Sequence, residues 1–262
     1  MAVASKAADV HASAIQYGRS MALIVASGFL SSISAFQASD APAGLLKQIA
    51  LRETENEHAR ENYTYRQSVL IQEFDEHNKI TGQYRETRDI TFSPNGARYE
   101  NVVERPWNTL SRLRLTPEDF ADIRNVQPFL LTGDELPLYE GRFQGEELMD
   151  GTKCFVERIQ PRQILATQRF FEGTLWVRQS DSSVLRSEGQ AVPQIETFRE
   201  QNLFPHFTTI RREIDDKWFF PVETYADDTL FFRRGPQRIR IVIRYSKYQH
   251  FEAKSTISFP KQ

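Results

Sequence analysis

Cysteine is almost absent from this chain, and its scarcity excludes two kinds of site. Cys154 is the only cysteine among 262 residues, so no disulfide can form within the chain. A single thiol also cannot build a thiolate metal cluster. Cys154 lies in a strand-like stretch, and the sequence suggests no histidine partner that would activate it. We therefore expect it to be a small buried hydrophobe.

An excess of basic charge is also lacking. The chain has 33 Lys and Arg against 35 Asp and Glu, which gives a net charge of −2 with both signs mixed along the sequence. Proteins that bind nucleic acid carry a basic stripe or patch. The charge pattern therefore excludes nucleic acid as the expected partner.

Motifs for catalysis and for cofactors are missing too. The sequence contains no Gly-x-Ser-x-Gly, no His-Glu-x-x-His, no phosphate-cradling loop and no dinucleotide fingerprint. The histidines show no metal-ligand spacing. We therefore expect that the protein binds no metal and no cofactor and that it is not an enzyme. The acid pairs Glu146-Glu147 and Asp215-Asp216 stand beside predicted turns, where acids are common. A hydrolase whose two carboxylates meet only in the fold stays open as the least favoured alternative.

The sequence has no apolar run long enough for a comfortable membrane span of about 20 residues. One shorter run, residues 21–36, is uncharged and mainly apolar and follows Arg19. This pattern is typical of a signal peptide with a basic flank. An uncleaved anchor in the inner membrane, formed by the same run, is the alternative.

These features predict the organisation of the chain. We expect a signal peptide or N-terminal anchor over residues 1–35, a linker over 36–44 and one β domain over 45–262. Export also suits a chain with a single cysteine, because unpaired thiols are poorly kept in oxidising compartments. The expected location is the periplasm.

Two helices are predicted in the exported part. Residues 45–59 have apolar positions at helical spacing that fade towards the end, and their Glu and Arg side chains are expected to form a solvated face. Thr116 followed by Pro117 and two acids is typical of a helix start. Phe120, Ile123 and Val126 mark the apolar side of this second helix.

The rest of the exported sequence, outside these two helices, predicts about ten or eleven strands joined mostly by hairpins. Alternation is clearest over residues 238–245, where Ile and Tyr face one way and Arg the other. Residues 230–233 are predicted as a short strand separate from 218–225, and 256–259 as the closing strand. A meander of this size forms one curved, largely antiparallel sheet, and the two helices are available to cover one face.

Aromatic side chains are the positive signal. The 19 phenylalanines exceed what one small core face needs. They predict either simple packing of a large sheet or an apolar groove for a greasy ligand. The candidate ligand-binding residues are Phe120, Phe129, Leu131, Phe170, Trp176, Phe204, Phe207, Trp218 and Phe220.

Two segments carry a resemblance to a known family. Residues 171–178 (Phe-Glu-Gly-Thr-Leu-Trp-Val-Arg) and 239–251 (Ile-Arg-Ile-Val-Ile-Arg-Tyr-Ser-Lys-Tyr-Gln-His-Phe) follow an early amphipathic helix and lie in a long meander. The pattern resembles the LolA/LolB/RseB-type lipoprotein-carrier superfamily over roughly residues 45–260. In particular, it resembles acidobacterial-type sequences described as outer membrane lipoprotein-sorting proteins.

The resemblance implies an incomplete β-barrel capped by two or three helices, with an apolar cavity that shields acyl chains and no catalysis. The expected function is that of a monomeric periplasmic carrier or sensor of a lipid or lipoprotein. Fold alone does not establish function. An envelope regulator or scaffold that binds a membrane protein through a sheet edge therefore stays open as the main alternative.

Overall fold

The computed structural model describes residues 42–129, 131–165, 168–196 and 201–251, so the predicted signal peptide and the predicted strand at 256–259 lie outside the described residues. Its elements in chain order are α1 (Leu45–Arg60), β1 (Tyr63–Phe74), β2 (Ile80–Phe92), β3 (Arg98–Asn108), α2 (Pro117–Asn125), a 3-10 turn (Leu136–Leu138), β4 (Tyr139–Met149), β5 (Thr152–Pro161), β6 (Phe170–Arg178), β7 (Val184–Val192), β8 (Ile195–Glu196), β9 (Gln201–Asn202), β10 (Phe207–Ile214), β11 (Trp218–Phe232) and β12 (Gly235–His250).

Ten of these strands form one open sheet. Their order is β3-β2-β1-β12-β11-β10-β7-β6-β5-β4, and every recorded pair is antiparallel. The edge strands β3 and β4 follow each other in the chain. The segment between them, residues 109–138 with α2, must therefore run from one edge of the sheet to the other. The mainly β, antiparallel fold predicted from the sequence is confirmed.

Alternation of apolar and polar side chains decides which face of the sheet is buried. In β12, Ile239, Ile241, Ile243 and Tyr245 are all buried, while the intervening arginines are not. The same alternation runs through β1, and both strands contribute to a core that includes α1 and α2. On the opposite face, cross-strand ion pairs such as Asp227 with Arg238 and Arg240 hold the solvent side.

The charged end of α1 differs from its prediction. Glu53, which was expected on a solvated face, is only 1% exposed, and so is Asn56. They stay on the buried side because Glu53 pairs with Arg211 of β10 at 2.5 Å, and Asn56 donates to Glu53 at 3.1 Å. Buried polar residues therefore continue the buried face of α1 beyond its apolar residues. Hydrophobic periodicity cannot detect them because they are polar.

One strand boundary was also predicted wrongly. Residues 218–225 and 230–233 belong to the single strand β11, which continues through Asp227 and Asp228. These two acids indicated a turn. They remain in the strand because Asp227 accepts hydrogen bonds from Arg238 and Arg240 on the paired strand.

Neither helix among the described residues is long and apolar enough to cross a membrane.

Candidate binding cavity

A cavity of about 1290 Å³ lies over the central strands of the sheet. Buried aliphatic side chains of β1, β11, β12 and α2 form its floor, namely Ile71, Leu230, Ile239, Ile241 and Ile123. Three segments form its walls: residues 111–119, residues 201–205 and residues 232–237. The wall segments add Leu113, Leu115, Leu203, Phe204 and Phe232 to the apolar lining.

The first wall is fixed to the sheet by one buried carboxylate. Glu73 of β1 accepts hydrogen bonds from the backbone N–H groups of Ser111, Arg112 and Leu113 at 2.7, 2.9 and 3.0 Å, and from the Ser111 hydroxyl at 2.8 Å. Burial alone would raise the pKa of Glu73, but these hydrogen bonds outweigh it and hold the pKa below its ordinary value. The wall thus depends on an ionised side chain beneath it.

A glycine gives the wall room to approach. A Cβ atom on Gly82 of β2 would lie 2.5 Å from the Thr109 carbonyl oxygen and 2.6 Å from the Glu73 carboxylate. Any larger residue at this position would push the wall away from Glu73. Gly82 therefore leaves room for the backbone of Thr109 and Leu110, and Glu73 holds the backbone of residues 111–113 that follows.

We expect Glu73→Gln to lower the free energy of unfolding by about 2 kcal/mol, because an amide presents one acceptor oxygen to several backbone donors. Urea unfolding measures the loss, and hydrogen exchange of the 111–113 amides should accelerate with it. Glu76→Gln is the matched control, since the Glu76 side chain is 87% exposed in the β1–β2 loop. Equal free energies of unfolding for the two variants would contradict the role of Glu73 in holding the wall.

The start of α2 joins the first wall to the second. Thr116 and Asp119 form a capping box, in which the Thr116 N–H donates to Asp119 at 2.7 Å and the Asp119 N–H donates to Thr116. The Asn202 amide donates to both side chains at 3.0 Å. The N-cap predicted from Thr116 and Pro117 is confirmed, and it also ties β9 to the helix.

One turn further along α2, Asp122 is buried, with 1% exposure. The Arg169 Nε atom lies 3.4 Å from its carboxylate, yet neither carboxylate oxygen has a hydrogen-bond partner among the described residues. The Arg169 guanidinium donates instead to the Pro193 carbonyl and to Asn202. Burial therefore outweighs the attraction of Arg169 and raises the pKa of Asp122 to about 7.

A smaller cavity of about 510 Å³ shares Leu115, Thr116, Pro117 and Ile123 with the larger one. Its polar side is formed by Arg88, which bridges Glu86 at 2.8 Å and Glu100 at 3.2 Å. These charges are already paired within the protein. The smaller cavity is consequently less suited to an apolar ligand than the larger one.

The predicted site residues divide into three groups. Phe204 lines the larger cavity and Phe120 the smaller one. Four others are packed in the main core instead: Phe129, Leu131, Phe170 and Phe207. The remaining three, Trp176, Trp218 and Phe220, belong to separate small clusters. A role in ligand contact stays a prediction for all nine.

Close packing explains why Phe129 and Phe207 line neither of the two cavities. Phe129 stacks on Phe171 at 4.9 Å, and Phe171 contacts Phe207 at 5.7 Å between ring centroids. The Phe171 ring also lies over the directly paired glycines Gly173 and Gly189, which leave space for it on the sheet. The alternative of simple packing therefore applies to this part of the aromatic surplus.

Trp176 illustrates what alternation predicts. It stands between the buried residues Leu175 and Val177, so its side chain belongs to the other face of β6. There its indole N–H donates to Glu147 at 2.7 Å, and the Arg186 guanidinium lies 4.5 Å above its ring. The alternation in the sequence was sufficient to exclude Trp176 from the interior.

Several arginines lie at or near the larger cavity. Arg233 and Arg234 are exposed, form the turn between the central strands β11 and β12 and line the larger cavity. The Arg169 side chain is only 12% exposed. Arg112 and Arg114, which the sequence did not single out, line the cavity from the opposite wall.

Among the described residues, no cluster of three His, Cys, Asp or Glu side chains could hold a metal ion. The predicted acid pairs Glu146-Glu147 and Asp215-Asp216 are exposed and do not line either cavity. The Asp215 carboxylate instead accepts a hydrogen bond from the Tyr63 hydroxyl at 2.5 Å.

No protein-family model matches the chain, and no curated protein matches it. Among solved structures it is similar to a DUF1329 family protein from Desulfovibrio piger, with 14% identity, 81% of this chain and 94% of that chain covered, and a TM-score of 0.38. It is also similar to a LolA superfamily protein from Nitrosomonas europaea, with 14% identity, coverages of 80% and 94%, and a TM-score of 0.36.

A third similar structure is described as an outer membrane lipoprotein-sorting protein domain from Vibrio parahaemolyticus, with 11% identity, coverages of 79% and 94%, and a TM-score of 0.36. The resemblance noted in the sequence is thereby confirmed as a resemblance. Identities and TM-scores are low, so the function proposed for this chain rests on its own residues.

Proposed function

We propose that this chain is a non-enzymatic binding protein of the bacterial envelope that holds an acyl chain of a lipid or lipoprotein in the larger cavity. The observation that supports this proposal most directly is the cavity floor, which consists of buried Ile and Leu side chains from four elements. Pockets for small ligands are mostly apolar and measure about 300–1,000 Å³. A cavity of about 1290 Å³ can accommodate a larger amphiphile.

The envelope location rests on the N-terminal sequence. Residues 21–36 form the apolar run that predicts a signal peptide. Determining the mature N-terminus of protein made in its native host tests this point. A cleaved leader supports a periplasmic protein, and an intact N-terminus supports the membrane-anchored alternative.

Acyl binding can be tested with a fluorescent fatty-acid probe and a paired variant. Leu113 and Leu203 line the cavity and are half-buried, so replacing both with aspartate should weaken probe binding by roughly tenfold or more, while the fold tolerates the change. Leu148→Asp is the matched control, because Leu148 is 70% exposed on β4, away from the cavity.

Native mass spectrometry of protein purified from its own envelope provides the complementary measurement. An acyl-bearing species should co-purify with the wild-type chain and be reduced in the Leu113→Asp, Leu203→Asp variant. If no such species is found and the probe does not bind, the proposal is wrong.

An envelope regulator that binds another protein through the sheet edge is the second candidate, and one observation favours it. The edge strand β3 exposes Tyr99, Val102, Val103 and Trp107, each more than two-fifths exposed. An extended segment of a partner can add to such an edge by backbone pairing. A cross-linking group placed at position 103 should then give a discrete cross-linked product with the partner in the native envelope. Val102→Lys should abolish this product and leave the binding of the acyl probe unchanged.

A further inference from the structure

Four exposed arginines surround the mouth of the larger cavity. Arg112 and Arg114 come from the wall before α2, and Arg233 and Arg234 come from the β11–β12 turn. These segments are separated by more than a hundred residues in the chain. The fold brings them to one opening, above a floor that is entirely aliphatic.

Three of them, Arg112, Arg114 and Arg234, differ from the arginines of the outer face of the sheet. There, Arg66 pairs with Asp89, and Arg238 and Arg240 pair with Asp227. Among the described residues, by contrast, these three arginines make no ion pair. Their charge is therefore available to a group that is not part of the described chain.

Acids are few among the described residues of the lining. They are Glu118 and Asp119, and Asp119 is already engaged by the Thr116 N–H and by Asn202. Because the capping box also occupies donors of the helix N-terminus, Arg112, Arg114 and Arg234, the arginine rim, are the groups left to bind an anion among the described residues.

We propose that this arginine rim binds the anionic headgroup of an amphiphile, one that carries a phosphate or a comparable anion, while the acyl chain lies on the aliphatic floor. This inference rests on the proposed acyl-binding function and adds the chemical class of the headgroup. The guanidinium group suits this role, since its planar fork of donors matches the oxygens of phosphate and carboxylate. Arginines on both sides of the mouth would fix which end of the ligand faces solvent.

The test compares two lysophospholipids with the same 16-carbon chain, one with an anionic phosphatidylglycerol headgroup and one with a zwitterionic phosphatidylcholine headgroup. Displacement of a fluorescent fatty-acid ester, which carries no charge, measures both affinities on the full chain at low and at high salt. We expect the anionic lipid to bind roughly tenfold more tightly at low salt, and the difference to shrink at high salt.

Variants locate the preference. Replacing Arg112, Arg114 and Arg234 with glutamine should remove most of the difference and leave the affinity for the zwitterionic lipid unchanged. Arg105→Gln with Arg142→Gln is the control, because both arginines are exposed and neither lines either of the two cavities. Inorganic phosphate alone should not displace the uncharged probe, since it has no acyl chain to occupy the floor.

The outcomes separate this inference from the function on which it rests. Equal affinities for the two lipids, or a preference that survives in the rim variant, would overturn the headgroup inference and leave acyl binding intact. Failure of both lipids and of the uncharged probe to bind would overturn both. Displacement of the probe by inorganic phosphate would indicate a site for a free anion. It would also overturn the proposal that the rim binds the headgroup of an amphiphile.

Discussion

Replacing Arg211 with methionine is expected to lower the free energy of unfolding by about 3–5 kcal/mol, because it leaves a buried carboxylate without its partner. Arg211 and Glu53 are each 1% exposed, and their charged atoms lie 2.5 Å apart. Arg211 also donates to the Phe129 carbonyl. One side chain thus connects β10, α1 and the segment that follows α2. Urea denaturation measures the loss.

Arg212→Met is the matched control, because Arg212 is the adjacent exposed residue of β10 and faces away from α1. It should change stability by less than about 0.5 kcal/mol. Adding Glu53→Leu to Arg211→Met should recover most of the loss, since a buried ion pair can be exchanged for apolar residues of similar volume. A small effect of Arg211→Met alone, similar to that of the control, would show that the pair does not hold α1 in place.

The buried pair also shows where prediction from the sequence ended. Glu53 looked like a solvated helix residue because the partner that compensates its burial lies 158 residues away in the chain. Local patterns carried more information elsewhere. Strict alternation over residues 238–245 predicted a strand within β12, and the Thr116-Pro117 cap predicted the start of α2. Both signals lie within a few residues of the feature that they predict.

The cavity could not be predicted in the same way. Its walls come from connections between elements, and a loop has no periodicity that tells which face of a sheet it crosses. The β3–β4 connection crosses the buried face because its two strands are the opposite edges of the sheet, and strand order was not evident from the sequence. Aromatic content directed attention to Phe and Trp, whereas the floor of the cavity is made of Ile and Leu.

The stability of the protein is expected to fall as the pH rises from about 4 to about 7, because three carboxyl groups keep their protons in the folded state. Burial raises the pKa of Asp122, Glu135 and Glu157 to about 7 each. Glu157 is 4% exposed, and one oxygen of Glu157 and one of Glu135 have no hydrogen-bond partner among the described residues. In the unfolded chain all three groups ionise near pH 4.

The sign follows from proton binding. Over this range the folded state holds protons that the unfolded state has released, so each further rise in pH favours unfolding. The slope is roughly 1 kcal/mol per pH unit for each group near pH 5.5 and vanishes above the folded pKa. Asp181 and Asp227 act in the opposite direction, but arginine and serine partners lower their pKa to about 2, so their stabilising effect is lost only in more acidic solution.

Urea unfolding at several values between pH 4.5 and pH 8 measures this slope. Asp122→Asn should flatten the profile and raise stability at pH 8, where the wild-type carboxylate is ionised and has no hydrogen bond from the described residues. Asp134→Asn, at an exposed residue, is the control and should leave the profile unchanged. Glu135→Gln and Glu157→Gln should each remove a further part of the slope. A wild-type profile that is flat or rises over this range would mean that none of these carboxyl groups is protonated in the folded state. Arg169 would then neutralise Asp122, and the anchoring of α2 at the cavity would not weaken as the pH rises.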